Sequence, residues 1–276
     1  MKEGGEKRFK VKRFILPAMV AAISGISCTA LPPVQSPDPG ARVPSSGKPR
    51  EDGTLRLIGA SPKVDCAAVA VSPRLAVTAL HCAQWLCGAT RDDKADLLTG
   101  CGVEYAARTG FVGKARVVKG SDEDLLALLE TPVPVWSWVS TRCETPQPGE
   151  LLYTVGHPRG AFWSDSYGRL VRGPERLEWE AEKFTLVLTA ELPTAAGSSG
   201  GGLFDAVDRL LGVQIQRWSP WTGRPDLASF IDADRIRTMV ASYCRDRADG
   251  ECPLTQCDVT DEDLRDLFPI RYGWLS

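Results

Sequence analysis

The chain has 276 residues, of which 43% are hydrophobic and 25% are charged, enough for one or two buried cores. The net charge is −2, and because residues 1–27 carry six Lys or Arg and two acidic residues, the remainder carries −6. An acidic chain of this kind is not expected to bind nucleic acid or an anionic membrane surface.

Residues 1–27 are predicted to be an export signal. Six basic residues precede an apolar run over residues 14–26, which is too short to span a bilayer and fits a cleaved signal peptide. Residues 25–28, Gly-Ile-Ser-Cys, resemble the cleavage box of bacterial lipoproteins, which would place a lipid on Cys28 and attach the chain to a membrane. Cleavage after Ala30 is the alternative. The expected location is the cell envelope, as a periplasmic protein or an outer-membrane lipoprotein, or the medium.

Residues 28–53 are rich in Pro, Ser and Gly and are predicted to form a disordered tether. The nine cysteines of the chain fit an exported protein with disulfides. Either processing route removes Cys28 from the disulfide count and leaves an even number. No Cys-x-x-Cys pair has histidines near it, so neither a metal site nor another cofactor is expected.

Short apolar runs separated by turn residues begin at residue 54. The first series covers residues 55–58, 67–71, 75–80, 102–105, 115–118 and 125–129, and the second covers 151–155, 166–171, 176–180, 184–188, 202–204, 210–214 and 227–231. This spacing favours an all-β sandwich or barrel. Residues 232–243 carry apolar side chains at helical spacing and predict a C-terminal helix. Residues 245–276 are a C-terminal extension whose acidic stretch is expected to be solvated.

The stretch Gly-Ser-Ser-Gly-Gly at residues 197–201 fits a turn that presents a nucleophilic serine. Gly197 allows a tight bend, and the amides of Gly197 and Ser199 can then form an oxyanion hole, worth about 2.7–4 kcal/mol per donor. A flexible Gly/Ser linker is the alternative. It is disfavoured because apolar runs flank the stretch on both sides.

A nucleophilic serine needs a base, and the chain has two histidines. His81 ends an apolar run, whereas His157 lies in a Gly-His-Pro-Arg-Gly turn. Asp124 stands at the head of a leucine-rich run, where a buried carboxylate could orient an imidazole. The alternatives are a structural role for His81 and a solvated acidic loop around Asp124, with Asp122 as the substitute.

These motifs, in the order His, Asp, Ser, resemble the trypsin-like (chymotrypsin-fold) serine peptidases over residues 54–244. The resemblance implies two six-stranded antiparallel β-barrels, at about residues 54–140 and 148–232, with the active site in the cleft between them. It makes His81 the general base, Asp124 its orienting partner and Ser199 the nucleophile, with the Gly197 and Ser199 amides as the oxyanion hole. It also implies a Cys66–Cys82 disulfide. The further expected pairs are Cys87–Cys101, Cys252–Cys257 and, by elimination, Cys143–Cys244.

The chain departs from the digestive members of this family just before the nucleophile. They carry an acidic residue there that pairs with a freed N-terminus, whereas this chain has Ser198, so no proteolytic activation is expected. By the resemblance, the substrate pocket has Pro193 at its floor and is walled by Thr194, Ile215, Gln216 and Arg217. A floor without a carboxylate predicts cleavage after small, apolar or acidic residues.

The sequence thus predicts an exported serine endopeptidase, expected as a monomer, that acts on protein or peptide substrates. The alternative is a catalytically inactive binding module with a peptidase fold on the cell envelope, because a fold does not guarantee its chemistry. The positions of His81, Ser199 and an aspartate in the structure distinguish the two.

Overall fold

The computed structural model describes residues 49–59, 65–90, 93–135, 137–157, 163–180, 183–217 and 227–247. The predicted export signal, Cys28 and the predicted tether before residue 49 lie outside these residues. So do Cys252, Cys257 and the predicted C-terminal extension beyond residue 247.

Six strands in the first half of the described chain form one closed barrel. They are β1 (Thr54–Ile58), β2 (Asp65–Ala70), β3 (Leu75–Ala79), β4 (Gly102–Ala106), β5 (Val112–Ser121) and β6 (Leu126–Glu130). They are hydrogen-bonded in the order β1-β2-β3-β6-β5-β4, with antiparallel pairing throughout. Three helical segments accompany this barrel: α1 (Pro49–Asp52), α2 (Leu80–Leu86) and a 3-10 helix (Ala95–Leu98).

Six further strands close a second antiparallel barrel. They are β7 (Leu151–Gly156), β8 (Ser164–Glu180), β9 (Lys183–Glu191), β10 (Gly202–Phe204), β11 (Leu210–Arg217) and β12 (Leu227–Asp232), in the order β10-β11-β12-β9-β8-β7. Helix α3 (Ala233–Arg245) follows β12 directly, and the Asp232 carboxylate caps its N-terminus by accepting a hydrogen bond from the Asp234 amide. The predicted fold class, two six-stranded barrels and a C-terminal helix, is confirmed.

Most predicted elements begin or end one to three residues away from those of the structure, and two differences concern the elements themselves. The predicted strands over 166–171 and 176–180 are one 17-residue strand, β8. The intervening Gly173 and Pro174 do not end it, because its pairing with β9 continues through register shifts at Leu170/Arg172 and Arg172/Glu175. The predicted strand over 75–80 ends at Ala79, and Leu80 begins α2.

Alternating apolar residues along the strands create three buried clusters. One fills the first barrel and another fills the second barrel. The third lies between them and includes Val77 and Leu128 of the first barrel, Phe204 and Val213 of the second, and Met239 of α3. The two barrels and α3 therefore share a dry interface, and residues at its edge are held by both sides.

Two predicted disulfides are confirmed. Cys66–Cys82 joins β2 to α2, and Cys87–Cys101 joins the end of α2 to the start of β4. Cys143 and Cys244 are also disulfide-bonded. Their pairing with each other stays a prediction, and the predicted Cys252–Cys257 pair lies outside the described residues.

Candidate active site

Ser199 lies in the turn that leads from β9 to β10. Gly197 and Gly200 flank it with φ angles of +97° and +81°, in the left-handed region that favours glycine. The Gly201 amide donates a 2.9 Å hydrogen bond to the Ser198 carbonyl and closes the turn. The glycines of the motif are therefore needed for the backbone path around the serine.

This turn is fastened to both barrels through its backbone. In the second barrel, the Gly200 amide donates to the Gln214 carbonyl at 2.8 Å; toward the first, the Ser199 carbonyl accepts from the Ala67 amide at 2.7 Å. A Cβ atom on Gly200 would lie 2.0 Å from the Ala67 carbonyl oxygen and 2.3 Å from Thr78 Oγ1. Only glycine fits at this point of contact between the barrels.

His81 is the second residue of α2, immediately after β3, and not the last residue of a strand as the sequence indicated. Its half-buried ring lies edge-on to Trp85, with 4.9 Å between the ring centroids. The next residue, Cys82, forms the disulfide to Cys66, and its sulfur lies 3.6 Å from the Ser199 carbonyl oxygen. The disulfide-linked start of α2 therefore brings the backbones of His81 and Ser199 together.

Asp124 lies in the turn between β5 and β6. Ser121 Oγ donates to Asp124 Oδ2 at 2.8 Å and accepts from the Asp124 amide at 3.0 Å. Leu125 then adopts a φ of +57°, and its carbonyl accepts a 2.7 Å hydrogen bond from the Leu80 amide. This bond brings the backbone at the start of α2, which carries His81, next to the turn that carries Asp124.

The neighbouring acid, Asp122, faces another part of the first barrel. Both of its carboxylate oxygens lie within hydrogen-bond distance of the Ala95 amide, at 3.2 and 3.3 Å, at the start of the 3-10 helix. Asp122 and Asp124, the two aspartates that the sequence left as candidates, therefore have different hydrogen-bond partners in the structure.

A fourth residue at this site, Arg235 of α3, has no counterpart in the sequence prediction. Its Nη1 lies 3.6 Å from Asp124 Oδ1, and the two side chains are only 14% and 16% exposed. The pair joins positions 111 residues apart. No local sequence pattern around either residue indicates such a contact.

Two amides are available near Ser199 for an oxyanion. Among the described residues, neither the Gly197 nor the Ser199 amide donates to a backbone carbonyl. Preorganised backbone donors at such a turn are the groups from which oxyanion holes are built.

Two of the predicted substrate-pocket residues, Pro193 and Thr194, line a cavity of about 170 Å³ directly beside the nucleophile turn. Thr194 is 92% buried, with an exposed fraction of 8%, and its hydroxyl has no hydrogen-bond partner in the described structure. The remaining lining residues are small or hydroxyl-bearing: Thr154, Gly156, Ser164, Ser166, Ala195 and Ser198. Among the described residues that line the cavity, none has an ionisable side chain.

Of the other three predicted pocket residues, Ile215 is not among the described residues that line this cavity. Ile215 is partly buried against both the first-barrel core and the cluster between the barrels. Gln216 and Arg217 pair through their backbones with Ser229 and Ala228 of β12. Their place in a pocket wall stays a prediction.

The second histidine, His157, directly follows β7. His157 is completely buried, and its ring packs edge-on against Trp163 with 4.5 Å between centroids. The indole N–H of Trp163 donates to the Thr54 carbonyl on β1 at 2.8 Å, which links the second barrel to the first. The adjacent Gly156 is so close to the turn that a Cβ would lie 3.1 Å from Ser198 Cα. His157 is thus buried next to Gly156, the residue that lies against the Ser199 turn.

Burial raises the pKa of Asp232, the N-cap of α3, to about 6, and the nearby Arg237 and Arg235 only partly oppose this effect. Arg235 therefore lies within the electrostatic reach of two carboxylates, Asp232 and Asp124. The Arg235 guanidinium therefore couples the charge of Asp232, at the start of α3, electrostatically to the charge of Asp124 at the candidate site.

Two features are absent from the described part of the chain. It contains no cluster of three His, Cys, Asp or Glu side chains arranged to hold a metal ion. Within the same residues, no helix has the length and hydropathy needed to cross a membrane.

Comparison with known proteins identifies the domain type. The family model described as "Trypsin-like peptidase domain" matches residues 66–213, more than half of the chain. The active form of the Rv3671c protease from M. tuberculosis is 20% identical, with a TM-score of 0.58 over 80% of this chain and 93% of that one. A serine endoprotease from Yersinia pestis is 16% identical, with a TM-score of 0.54 over 74% and 69%. No curated protein sequence matches the chain.

Proposed function

We propose, from the premise that this chain belongs to the trypsin-like peptidase domain family, that it is an exported serine endopeptidase. The proposal assigns Ser199 as the nucleophile, His81 as the general base and Asp124 as the residue that orients His81. Substrates are proteins or peptides, and the protein acts as a monomer.

The proposed reaction is acyl transfer in two halves. Ser199 Oγ forms a bond to the substrate carbonyl carbon while His81 takes the hydroxyl proton. The amides of Gly197 and Ser199 donate to the developing oxyanion. When the C–N bond breaks, His81 gives the proton to the leaving amine. A water molecule, deprotonated by His81, then cleaves the acyl-enzyme and restores Ser199.

The backbone contacts around the three residues support this assignment. The hydrogen bond from Leu80 to Leu125 fastens the segments that carry His81 and Asp124 to each other, and the one from Ala67 to Ser199 fastens the Ser199 turn to β2 of the first barrel. A peptidase fold kept only for binding would not need an aspartate, a histidine and a Gly-flanked serine at one junction between the barrels.

We infer that the enzyme needs no proteolytic activation. Ser198, which occupies the position of the activating carboxylate, is buried beside Gly156 and cannot form an ion pair with an N-terminus. The only sequence reminiscent of an activation site follows Arg56, but Arg56 is paired with Ala67 and Ala106 inside the closed first barrel. Cleavage there would cut a barrel strand.

The proposed specificity is for small, apolar or acidic residues before the cleaved bond. Pro193 cannot neutralise a substrate Arg or Lys, and the described residues that line the cavity beside it include no carboxylate. A peptide library should therefore be cleaved mainly after such residues. Cleavage mainly after Arg or Lys would contradict this part of the proposal.

The disulfides fit an extracellular or periplasmic location. We further propose that Cys28 is lipidated, with cleavage after Ala30 as the alternative. The mass of the N-terminal peptide of the mature protein separates the two: a diacylglyceryl-modified Cys28 supports lipidation, and an unmodified N-terminus at Leu31 contradicts it.

Labelling with a fluorophosphonate tests the proposed nucleophile without knowledge of the substrate. The serine oxygen displaces fluoride from phosphorus, and the base takes the proton. The full chain with its disulfides formed should be labelled, and Ser199→Ala should not be. Ser140→Ala, at an exposed serine between the barrels, is the matched control and should be labelled like the wild type. Absence of labelling in correctly folded wild type would contradict the proposal.

A further inference from the structure

Helix α3 follows the second barrel in sequence, but several of its side chains contact the first barrel. Lys119 Nζ of β5 donates to Ser242 Oγ at 2.7 Å, and the Tyr243 hydroxyl donates to a carboxylate oxygen of Glu130 at 3.4 Å. Arg247, just after the helix, forms an ion pair with the same Glu130. Helix α3 is therefore a strap between the barrels.

Although partial burial works to raise the pKa of Glu130, its ion pairs with Arg247 and Arg116 hold that pKa below the ordinary value. The C-terminal end of the strap is thus fastened to the first barrel by a carboxylate that is ionised at neutral pH. The N-terminal end reaches the first barrel at a different carboxylate, that of Asp124.

Arg235 provides this N-terminal attachment. Its Nη1 lies 3.6 Å from Asp124 Oδ1, beyond ordinary hydrogen-bond distance. Both Arg235 Nε and Asp124 Oδ1 are buried, and within the described chain neither makes a hydrogen bond. The attraction between them is therefore that of two largely buried opposite charges, which water screens weakly.

We propose that Arg235 is a positioning residue for the reaction, holding the Asp124 carboxylate in place and partly neutralising it. The inference rests on the proposed function, because it concerns the aspartate that orients His81. The C-terminal helix would thereby set how strongly Asp124 stabilises the His81 imidazolium.

The direction of the electrostatic effect follows from the charges. A cation beside Asp124 offsets part of the negative charge that favours protonated His81, so it lowers the pKa of His81. Removal of that cation should raise the pKa of His81. Because the free base is the active form, activity would then begin at a higher pH.

Other charged groups near Asp124 are engaged elsewhere or lie farther out. Asp122 accepts from the Ala95 amide, Glu123 is exposed, and Lys119 of β5 binds Ser242 and lies 3.7 Å from Asp246. From α3, Asp232 interacts electrostatically with Arg235. Among the described residues, Arg235 is the cation that forms an ion pair with Asp124.

The test is the second-order rate of fluorophosphonate labelling measured between pH 5 and 9. In Arg235→Gln, the acid limb of the pH–rate profile should move up by about 0.5–1 pH unit. The plateau rate should fall on the order of three- to tenfold, because the carboxylate is less well placed. Arg235→Lys keeps the charge without the planar fork, so it should keep the wild-type acid limb with a lower plateau.

Arg237→Gln is the matched control, because Arg237 lies on the same helix but bonds to the Arg142 carbonyl and pairs with Asp234. Its acid limb should match that of the wild type. Identical acid limbs in labelled wild type and Arg235→Gln would overturn this inference alone. Folded wild type that is not labelled at any pH would overturn the proposed function and this inference with it. If Arg235→Gln does not fold, Arg235→Lys decides, and a wild-type plateau in that variant would overturn the inference.

Discussion

The two halves of the candidate active site are held together in different ways. The nucleophile turn is fixed by its backbone, through glycine φ angles and hydrogen bonds to both barrels. On the acid–base side, the carboxylate of Asp124 is held by two side chains, Ser121 and Arg235. A site built from backbone is sensitive to volume and insensitive to charge, whereas a site built from charged side chains responds to pH and to mutation of distant residues.

The largest expected effect is on the backbone side, from Gly200→Ala. A Cβ there would lie 2.0 Å from the Ala67 carbonyl oxygen and would also force a residue with a Cβ to a φ of +81°. We expect unfolding to become easier by about 3–5 kcal/mol and labelling to be lost. Urea unfolding followed by tryptophan fluorescence measures the first effect.

Gly149→Ala is the control for this prediction. Gly149 has a φ of +88°, but a Cβ there would meet no atom within 4 Å. It should cost only the conformational strain, about 1–2 kcal/mol, and leave labelling intact. Equal losses in the two variants would show that backbone conformation, and not the contact between barrels, dominates at Gly200.

On the charged side, Asp124→Asn should slow labelling by about 10³–10⁴-fold, because the orienting carboxylate is lost. It should also lower the free energy of unfolding by about 1–3 kcal/mol, since Arg235 then keeps its charge without the partner. In the double variant Asp124→Asn/Arg235→Gln, part of that stability should return while labelling stays slow. Strict additivity of the two stability losses would argue against the ion pair.

The pH dependence of stability sharpens the comparison further, through Asp232. Its pKa is about 6 in the folded protein and 3.8 in a model compound, so between these values only the folded state holds the proton. The free energy of unfolding therefore falls as pH rises through this window, by at most about 3 kcal/mol from this group. In Asp232→Asn, which keeps an oxygen to cap α3, that fall should disappear.

Thermal or urea unfolding of wild type and Asp232→Asn at pH 4 and pH 7 checks this expectation. The stability of the variant relative to wild type should be greater at pH 7 than at pH 4. A relative stability that does not change with pH would mean that the folded protein does not disfavour the charged form of Asp232.

The smallest expected effect comes from Ser121→Ala. The hydroxyl donates one hydrogen bond to Asp124 Oδ2, and Arg235 remains in place on the other oxygen. We expect a loss of about 0.5–1.5 kcal/mol in stability and a modest decrease in the labelling rate. A decrease as large as that of Asp124→Asn would mean that Ser121, and not Arg235, governs the carboxylate.

The difference between the part of the site held by backbone and the part held by charged side chains also explains which features the sequence could predict. Glycine requirements and apolar strand spacing are local features, and the spacing predicts an all-β fold. The two six-stranded barrels and the Cys66–Cys82 bridge are predicted from the resemblance to the trypsin-like serine peptidases. The continuity of β8 was missed, because Gly173 and Pro174 read as a turn and its bulged pairing with β9 is a tertiary feature. The role of Arg235 is not predictable from the sequence, because an ion pair between residues 111 positions apart produces no periodic pattern in the sequence around either residue.

The choice between Asp122 and Asp124 shows the same limit. Both aspartates stand in one acidic turn, and the sequence favoured Asp124 only because it precedes the leucine run. The Leu125 backbone at a φ of +57° and the Leu80 hydrogen bond are what join the Asp124 turn to the start of α2, which carries His81. Neither feature is encoded by residue type, since leucine rarely adopts this conformation.

The most direct test of the proposed triad is to identify the residue that fluorophosphonate labels, by mass spectrometry of peptides from the folded, disulfide-bonded protein. The account predicts a single adduct on Ser199 in the wild type, and a rate of adduct formation that falls by orders of magnitude in His81→Gln. An adduct on another serine, or one that forms equally fast without His81, would contradict it.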